Sequence, residues 1–247
     1  MAIHEGHRQR LRERFRMEGL EGFAAHEVLE LLLFYTRARG DVNPLAHRLL
    51  ETFGSLKGVL QAPVEQLTAV EGVGEETATF LSMMVPLFRR YELCLCEETT
   101  RLHYFRDVEN YCLALLMGLN KERLYVISVS AQMKVLGKRA VGNGDLTQVM
   151  AYPRLVVETA LNHNAYGVIL CHNHPGGEAR PSVGDVEVTC ALEAVLAKLN
   201  IALLDHIIVA DGKAYSMVAA GDFICTAPQT DVSCVCREEI GTNGRWV

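Results

Sequence analysis

No stretch of this 247-residue sequence approaches the roughly 18 to 20 uncharged apolar residues that a membrane-spanning helix needs. The N-terminus, MAIHEGHRQRLRERFRMEGL, carries charges where a secretory leader has its apolar run. The expectation is a cytoplasmic protein without a membrane partner. C-x2-C knuckles are missing too: Cys94-x-Cys96 and Cys234-x-Cys236 have one-residue spacers, so a four-thiolate zinc centre is not expected. The eight cysteines are scattered, with Cys171 and Cys190 inside apolar runs, which suits buried thiols in a reducing compartment. Neither H-x-E nor C-x-x-C occurs, which excludes nucleobase deamination. The net charge of −6 has the wrong sign for coating nucleic acid non-specifically. There is no internal repeat and no low-complexity segment.

What is present is a chain rich enough in apolar residues, at 49%, to bury one large core or two ordinary ones. The first 90 or so residues have helical periodicity. HEVLELLLFYT (26–36) is apolar all round and reads as a buried helix; NPLAHRLLETFG (43–54) opens on Asn-Pro and stops at Gly. LTAVEGVGEETATFLSMMVPLFRRY (67–91) is helix, Gly72-Val73-Gly74 hairpin, and helix, the second helix beginning with two acids that suit its dipole. From about Phe105 the texture becomes β-branched: RLYVISVSAQ, QMKVLGKRAVGNGD, YGVILC and IALLDHIIVADGKAYSM read as strands, with YPRLVVETALNHNA and VEVTCALEAVLAKLN as helices between them. The expected fold class is α/β (α+β): a helical domain over residues 1–92, a linker over 93–104, a mixed-sheet domain over 105–224 and a tail over 225–247.

Two constellations stand out. The pattern LxxVEGVGxxxA resembles a helix-hairpin-helix, in which amides at a helix N-terminus bind a phosphate without reading sequence. Gly72, Val73 and Gly74, with Arg8, Arg10 and Arg12 in the basic segment HRQRLRERFR, are the candidate contacts to a DNA backbone. Glu75 and Glu76 directly after the hairpin oppose an anion, and a purely structural hairpin explains the same pattern. Likewise the basic segment reads equally as a solvated helix with Leu11 and Phe15 turned to the core.

The second is CHNHPGGEARPSVGD, residues 171–185. In a strand, residues i and i+2 share a side, so His172 and His174 aim together and Asn173 aims the other way. Ser182 and Asp185 stand i, i+3 at a helix start, where their side chains are neighbours. Two imidazoles and a carboxylate are a usual zinc set when the fourth position is left to water. Without a metal, Ser182-x-x-Asp185 is still a capping box.

The spacing H-x-H, seven residues, S-x-x-D is similar to that of the JAB/MPN (JAMM) metalloproteins, and HNHPGG followed by LLDHIIV resembles their bacterial RadC branch. GHRQRLRERF, HEVLELLLFY, FGSL and the hairpin resemble the helical part of RadC-type proteins, so that only the tail after about Ile224 falls outside. The resemblance implies a cytidine-deaminase-like core over 105–224 that binds one Zn2+ per chain through His172, His174 and Asp185. It implies that Ser182 polarises a substrate carbonyl or orients water, with metallopeptidase-type hydrolysis of a protein or peptide and an association with DNA repair.

Such a hydrolase also needs a glutamate to carry protons, because the metal acidifies water but cannot shuttle its proton. The strand segment expected to supply it runs from Val135 to Asp145, and the matching position is Arg139, which cannot act as a base. Asp145 after the strand and Glu178 in the loop between the ligands are substitutes nearby in sequence. The expectation is intact ligands with impaired or absent hydrolysis. The alternative is a non-catalytic module that binds DNA or protein. Asp205-His206 reads either as a pair behind the ligands or, preferably, as a structural pair in the sheet.

Overall fold

The computed structural model describes residues 3–98, 101–143 and 152–223. The chain divides into two compact units, residues 1–88 and 89–247. The first is helical: α1 (Ile3–Glu18), α2 (Ala25–Thr36), α3 (Asn43–Phe53), α4 (Leu56–Gln61), α5 (Val64–Thr68) and the beginning of α6 (Glu75–Glu98). Local chemistry sets the boundaries. Pro44 lies in the first turn of α3, and Gly54 ends it in the left-handed region at φ 77°. Ser55 caps α4 by accepting from the Gly58 amide at 3.0 Å. Leu29, Leu33 and Phe34 of α2 pack with Leu11, Leu49, Leu67, Val73 and Leu81 into one core. Full burial of each large apolar side chain contributes about 1.5–3 kcal/mol. Phe15, expected in that core, is instead 45% exposed. The segment read as a linker begins inside a helix, because α6 continues to Glu98.

The second unit adds α7 (Phe105–Leu116), β1 (Arg123–Val129), β2 (Val135–Asn143), α8 (Tyr152–Asn162), β3 (Gly167–Asn173), α9 (Val183–Ala197), β4 (Ala202–Ala210), β5 (Lys213–Ser216) and α10 (Met217–Ala220). The strands form one mixed sheet in the order β2-β1-β3-β4-β5; β3 and β4 are parallel, and the other neighbours are antiparallel. Every residue of β3 and β4 is buried, as their continuous apolar runs require. Tyr111, Cys112 and Leu115 of α7 pack on one face against Ile127, Ile169, Cys171 and Ile207. Val156 of α8 and Val188, Leu192 and Leu196 of α9 pack on the other, against Val126, Val168, Leu170 and Ile208.

A bulge in β4 decides where the site can be built. In the β3–β4 ladder Val168 pairs with Leu203, but Ile169 pairs with Asp205, so Leu204 is skipped. One extra residue reverses the alternation of everything after it. Leu203 faces α8 and α9 while Leu204 and Ile207 face α7, and His206 consequently joins Ile208 on the α9 side. Among the described residues no helix is long and apolar enough to cross a membrane. The tail, Asp145, Cys234 and Cys236 lie outside the described residues. Cys171 is buried as expected, whereas Cys190 is exposed.

Candidate metal centre

The C-terminal end of β3 delivers His172 and His174, and the first turn of α9 delivers Asp185. The capping box at that turn forms: Ser182 Oγ accepts from the Asp185 amide at 3.2 Å, and Asp185 Oδ2 accepts from the Ser182 amide at 2.7 Å. The Ser182 hydroxyl donates to the same Oδ2 at 2.7 Å. The Ser182 hydroxyl is thus engaged with the carboxylate. Asp185 serves as cap and candidate ligand at once, because the cap uses Oδ2 and leaves Oδ1 facing His172 Nε2 at 3.4 Å. Among the described residues Asp185 Oδ1 is the buried side-chain polar atom with no hydrogen-bond partner.

Hydrogen bonds fix which nitrogen of each imidazole carries a proton. Thr189 Oγ1 donates to the Asp185 carbonyl at 2.5 Å, so it accepts from His206 Nδ1–H at 2.6 Å. Burial pushes His206 well below the ordinary imidazole pKa and keeps it neutral, which leaves its Nε2 as an acceptor. His172 Nδ1–H donates to that Nε2 at 2.8 Å and presents a bare Nε2 to the site. His174 Nδ1 donates to the Glu178 carbonyl at 3.1 Å, so its Nε2 is bare as well. The two Nε2 atoms are 2.8 Å apart, and His174 Nε2 is 3.5 Å from Asp185 Oδ2.

Two facing lone pairs beside a buried, unsatisfied carboxylate oxygen repel one another unless a cation or a proton stands between them. The donor set fits a divalent metal ion of borderline softness, and this convergence is the test the residues pass. The electrostatics agree in direction. Burial opposes the charged form of Asp185, yet the two imidazoles beside it and the Ser182 hydroxyl outweigh that and hold the carboxyl far below its usual range. The Asp185 carboxylate close to its Nε2, partly offset by desolvation, raises the His174 pKa.

Glu122, in the turn before β1, was not found by sequence reasoning. One carboxylate oxygen of Glu122 and one nitrogen from each of His172 and His174 lie within 4.8 Å of one another, with Glu122 Oε1 3.9 Å from His174 Nε2. Two possible ligand sets thus share the histidines. The orphaned oxygen favours Asp185 in the inner position, since the Glu122 side chain is 23% exposed and Asp185 fully enclosed. The signal for Glu122 was strand register. Leu124 of antiparallel β1 pairs with His172, so continuing the ladder sets position 122 beside His174.

Arg139 is elsewhere. It pairs with Val126 along β2, and its guanidinium donates to Glu158 Oε1 of α8 at 3.0 Å, so its charge is turned onto a surface ion pair. Glu178 contributes its carbonyl, while its side chain is 85% exposed beside Arg180. The Asp205-His206 pair divides its labour. His206 orients His172, whereas Asp205 accepts from the His206 and Val218 amides and from Ser216 Oγ, tying β4 to the start of α10.

The candidate nucleic-acid contacts of the first unit are less uniform than expected. Gly72 has φ +90°, the left-handed conformation that calls for glycine, and Val73 is a core residue. Arg37 and Arg48 donate to the carbonyls of Gly72 and Glu71 at 3.1 and 2.7 Å. Arg8 is buried; its guanidinium donates to the carbonyls of Arg37, Ala38 and Gly40, which corrects its place in an exposed basic surface. Arg12 lies over the rings of Phe34 and Tyr35, and Arg10 is exposed.

Comparison with known proteins matches residues 102–222 to the RadC-like JAB domain and residues 5–79 to the UPF0758 N-terminal family. A UPF0758 protein of Ruegeria pomeroyi is 34% identical over 215 residues, covering 87% of this chain and 96% of the relative. One of Fusobacterium nucleatum subsp. nucleatum is 33% identical over 225 residues, covering 88% of this chain and 97% of the relative.

Proposed function

The chain belongs to the UPF0758 family and carries its RadC-like JAB domain, and from this premise we propose that it is a zinc-dependent hydrolase acting on peptide or isopeptide bonds. One observation carries the reading: His172 Nε2, His174 Nε2 and Asp185 Oδ1 converge, with the Glu122 carboxylate at their side. His172, His174 and Asp185 would hold one Zn2+ per chain. A bound Zn2+ supplies Lewis-acid polarisation and makes water acidic near neutral pH.

The rest falls to the chain's own residues. Glu122 takes the proton of the attacking water on a carboxylate oxygen and hands it to the leaving nitrogen, so that an amine and not an amide anion departs. His206 and the Glu178 carbonyl keep both Nε2 lone pairs directed inward. Ser182 fixes the rotamer of Asp185. With a carboxylate available at Glu122, the arginine at position 139 no longer argues for impaired catalysis.

Metal analysis of protein purified without chelator tests this reading. One zinc per chain is expected, lost in His172→Ala and Asp185→Ala, together with cleavage of a peptide library that Glu122→Gln slows at least about 10²-fold without releasing metal. Metal-free protein would sink it.

For the first unit, phosphate binding at Gly72–Gly74 is the second reading and underlies the proposed link to DNA repair. It is favoured by Arg37 and Arg48, which hold the hairpin carbonyls and so surround the turn with positive charge. Salt-dependent DNA binding that weakens on neutralising Arg10, Arg12 and Arg48 supports it. Absence of binding at low salt refutes it and leaves protein partners.

A further inference from the structure

We propose that Asn173, the residue between the two histidines, is a positioning residue that holds Glu122 at the site by clamping the turn on which it is carried. The inference rests on the reading of Glu122 as the proton carrier. Alternation along β3 turns Asn173 away from His172 and towards the face covered by α7, where the chain leaves α7 and enters β1. There Asn173 is 5% exposed, and its amide is fully used. Oδ1 accepts from the Arg123 amide at 2.9 Å, and Nδ2 donates to the carbonyls of Leu119 and Lys121 at 3.2 and 3.1 Å.

These partners lie on both sides of Glu122 in the chain. One acceptor and two donors on a short stem are what this turn requires, and of the side chains that fit, asparagine supplies them. Aspartate would keep the acceptor for Arg123 but set carboxylate oxygens against two carbonyls. Serine would offer a single donor. The position between the histidines is therefore not a spacer. Adjacent peptides of one strand fix the metal-facing imidazoles on one side and the base-bearing turn on the other, so the two halves of the site keep a common register.

The test compares Asn173→Ala and Asn173→Asp with wild type and Glu122→Gln. Zinc stoichiometry is expected to stay at one per chain, because the inner atoms are untouched. The kcat falls about 10- to 100-fold with KM little changed, the loss typical of a displaced supporting contact. In the Glu122→Gln background, Asn173→Ala is expected to add no further loss, since it acts through the same carboxylate. Multiplicative losses overturn the proposal.

Two readouts do not depend on turnover and apply even if the wild type hydrolyses nothing, an outcome that would refute the hydrolase reading alone. Hydrogen exchange at the Arg123 amide and across residues 119–122 is expected to be slow in wild type, with or without zinc, and fast in Asn173→Ala. The visible spectrum of the Co2+-substituted protein is expected to shift in Asn173→Ala in the same direction as in Glu122→Gln. Unchanged exchange or an unchanged spectrum overturns the proposal. Should neither variant fold, the wild-type Asn173 side-chain amide protons decide by NMR: slow exchange supports the clamp and rapid exchange overturns it.

Discussion

His172 Nδ1 and His206 Nε2 stand 2.8 Å apart across 34 positions of sequence, and this contact determines which nitrogen His172 offers to a metal. His206→Ala removes the acceptor and frees the ring to rotate or change tautomer. Zinc affinity is expected to fall about 10- to 100-fold, as it does when such orienting partners are lost. Competition against a chromogenic chelator measures it, and unchanged affinity in a folded variant refutes the relay.

Glu122 and Arg139 make opposite predictions. Glu122→Gln should reduce hydrolysis by at least about 10²-fold with metal retained, the scale of losing a general base. Arg139→Glu should gain nothing, because position 139 faces Glu158 rather than the histidines. Arg139→Ala should cost less than about 1 kcal/mol in urea unfolding, since both partners of its ion pair are more than 40% exposed. Rescue of turnover by Arg139→Glu would contradict this assignment.

Asp205 titrates unusually. Burial, only partly offset by its hydrogen bonds, pushes its pKa up to about 6. Because the folded protein binds this proton more tightly than the unfolded chain, with its ordinary value of about 3.9, the group stabilises most at low pH. The contribution declines as pH rises through about 6, by up to about 3 kcal/mol. Asp205→Asn, which can still accept the two amide bonds, should flatten that decline. Urea melts of both proteins from pH 4 to 7 provide the comparison, and parallel stability curves would count against the raised pKa.

Arg8 and Arg10 separate stability from binding. Arg8→Ala leaves the carbonyls of Arg37, Ala38 and Gly40 without their charged donor and should cost about 2–3 kcal/mol of stability. Arg10→Ala should leave the melting temperature within a degree or two, as exposed substitutions do. Equal melting temperatures for the two variants would show that Arg8 does not brace the turn.

The parts of the fold and site that were legible in the sequence are those whose physics is local. Helix stops at Gly54, the His172/His174 projection and the Ser182 cap each depend on a few neighbouring residues, and each formed as read. Glu122 required knowledge of which residue of β1 lies opposite His172, and His206 required a bulge that no alternation pattern announces. Position 139 lies along β2, whereas the carboxylate nearest the histidines is placed by the β1–β3 register. Arg8 misled in the same way, since its partners lie about thirty positions downstream.

The skipped residue in β4 also limits how this protein can be simplified. Pairing Leu204 with Ile169, instead of skipping it, would give an ideal ladder and, by the usual criteria of regularity, a better strand. It would also rotate His206 into the aliphatic layer under α7 and leave His172 without its orienting acceptor. An irregularity of one residue is thus what separates a pair of oriented imidazoles from a well-packed but chemically silent sheet, and a regularised redesign would be expected to gain stability at the expense of metal binding.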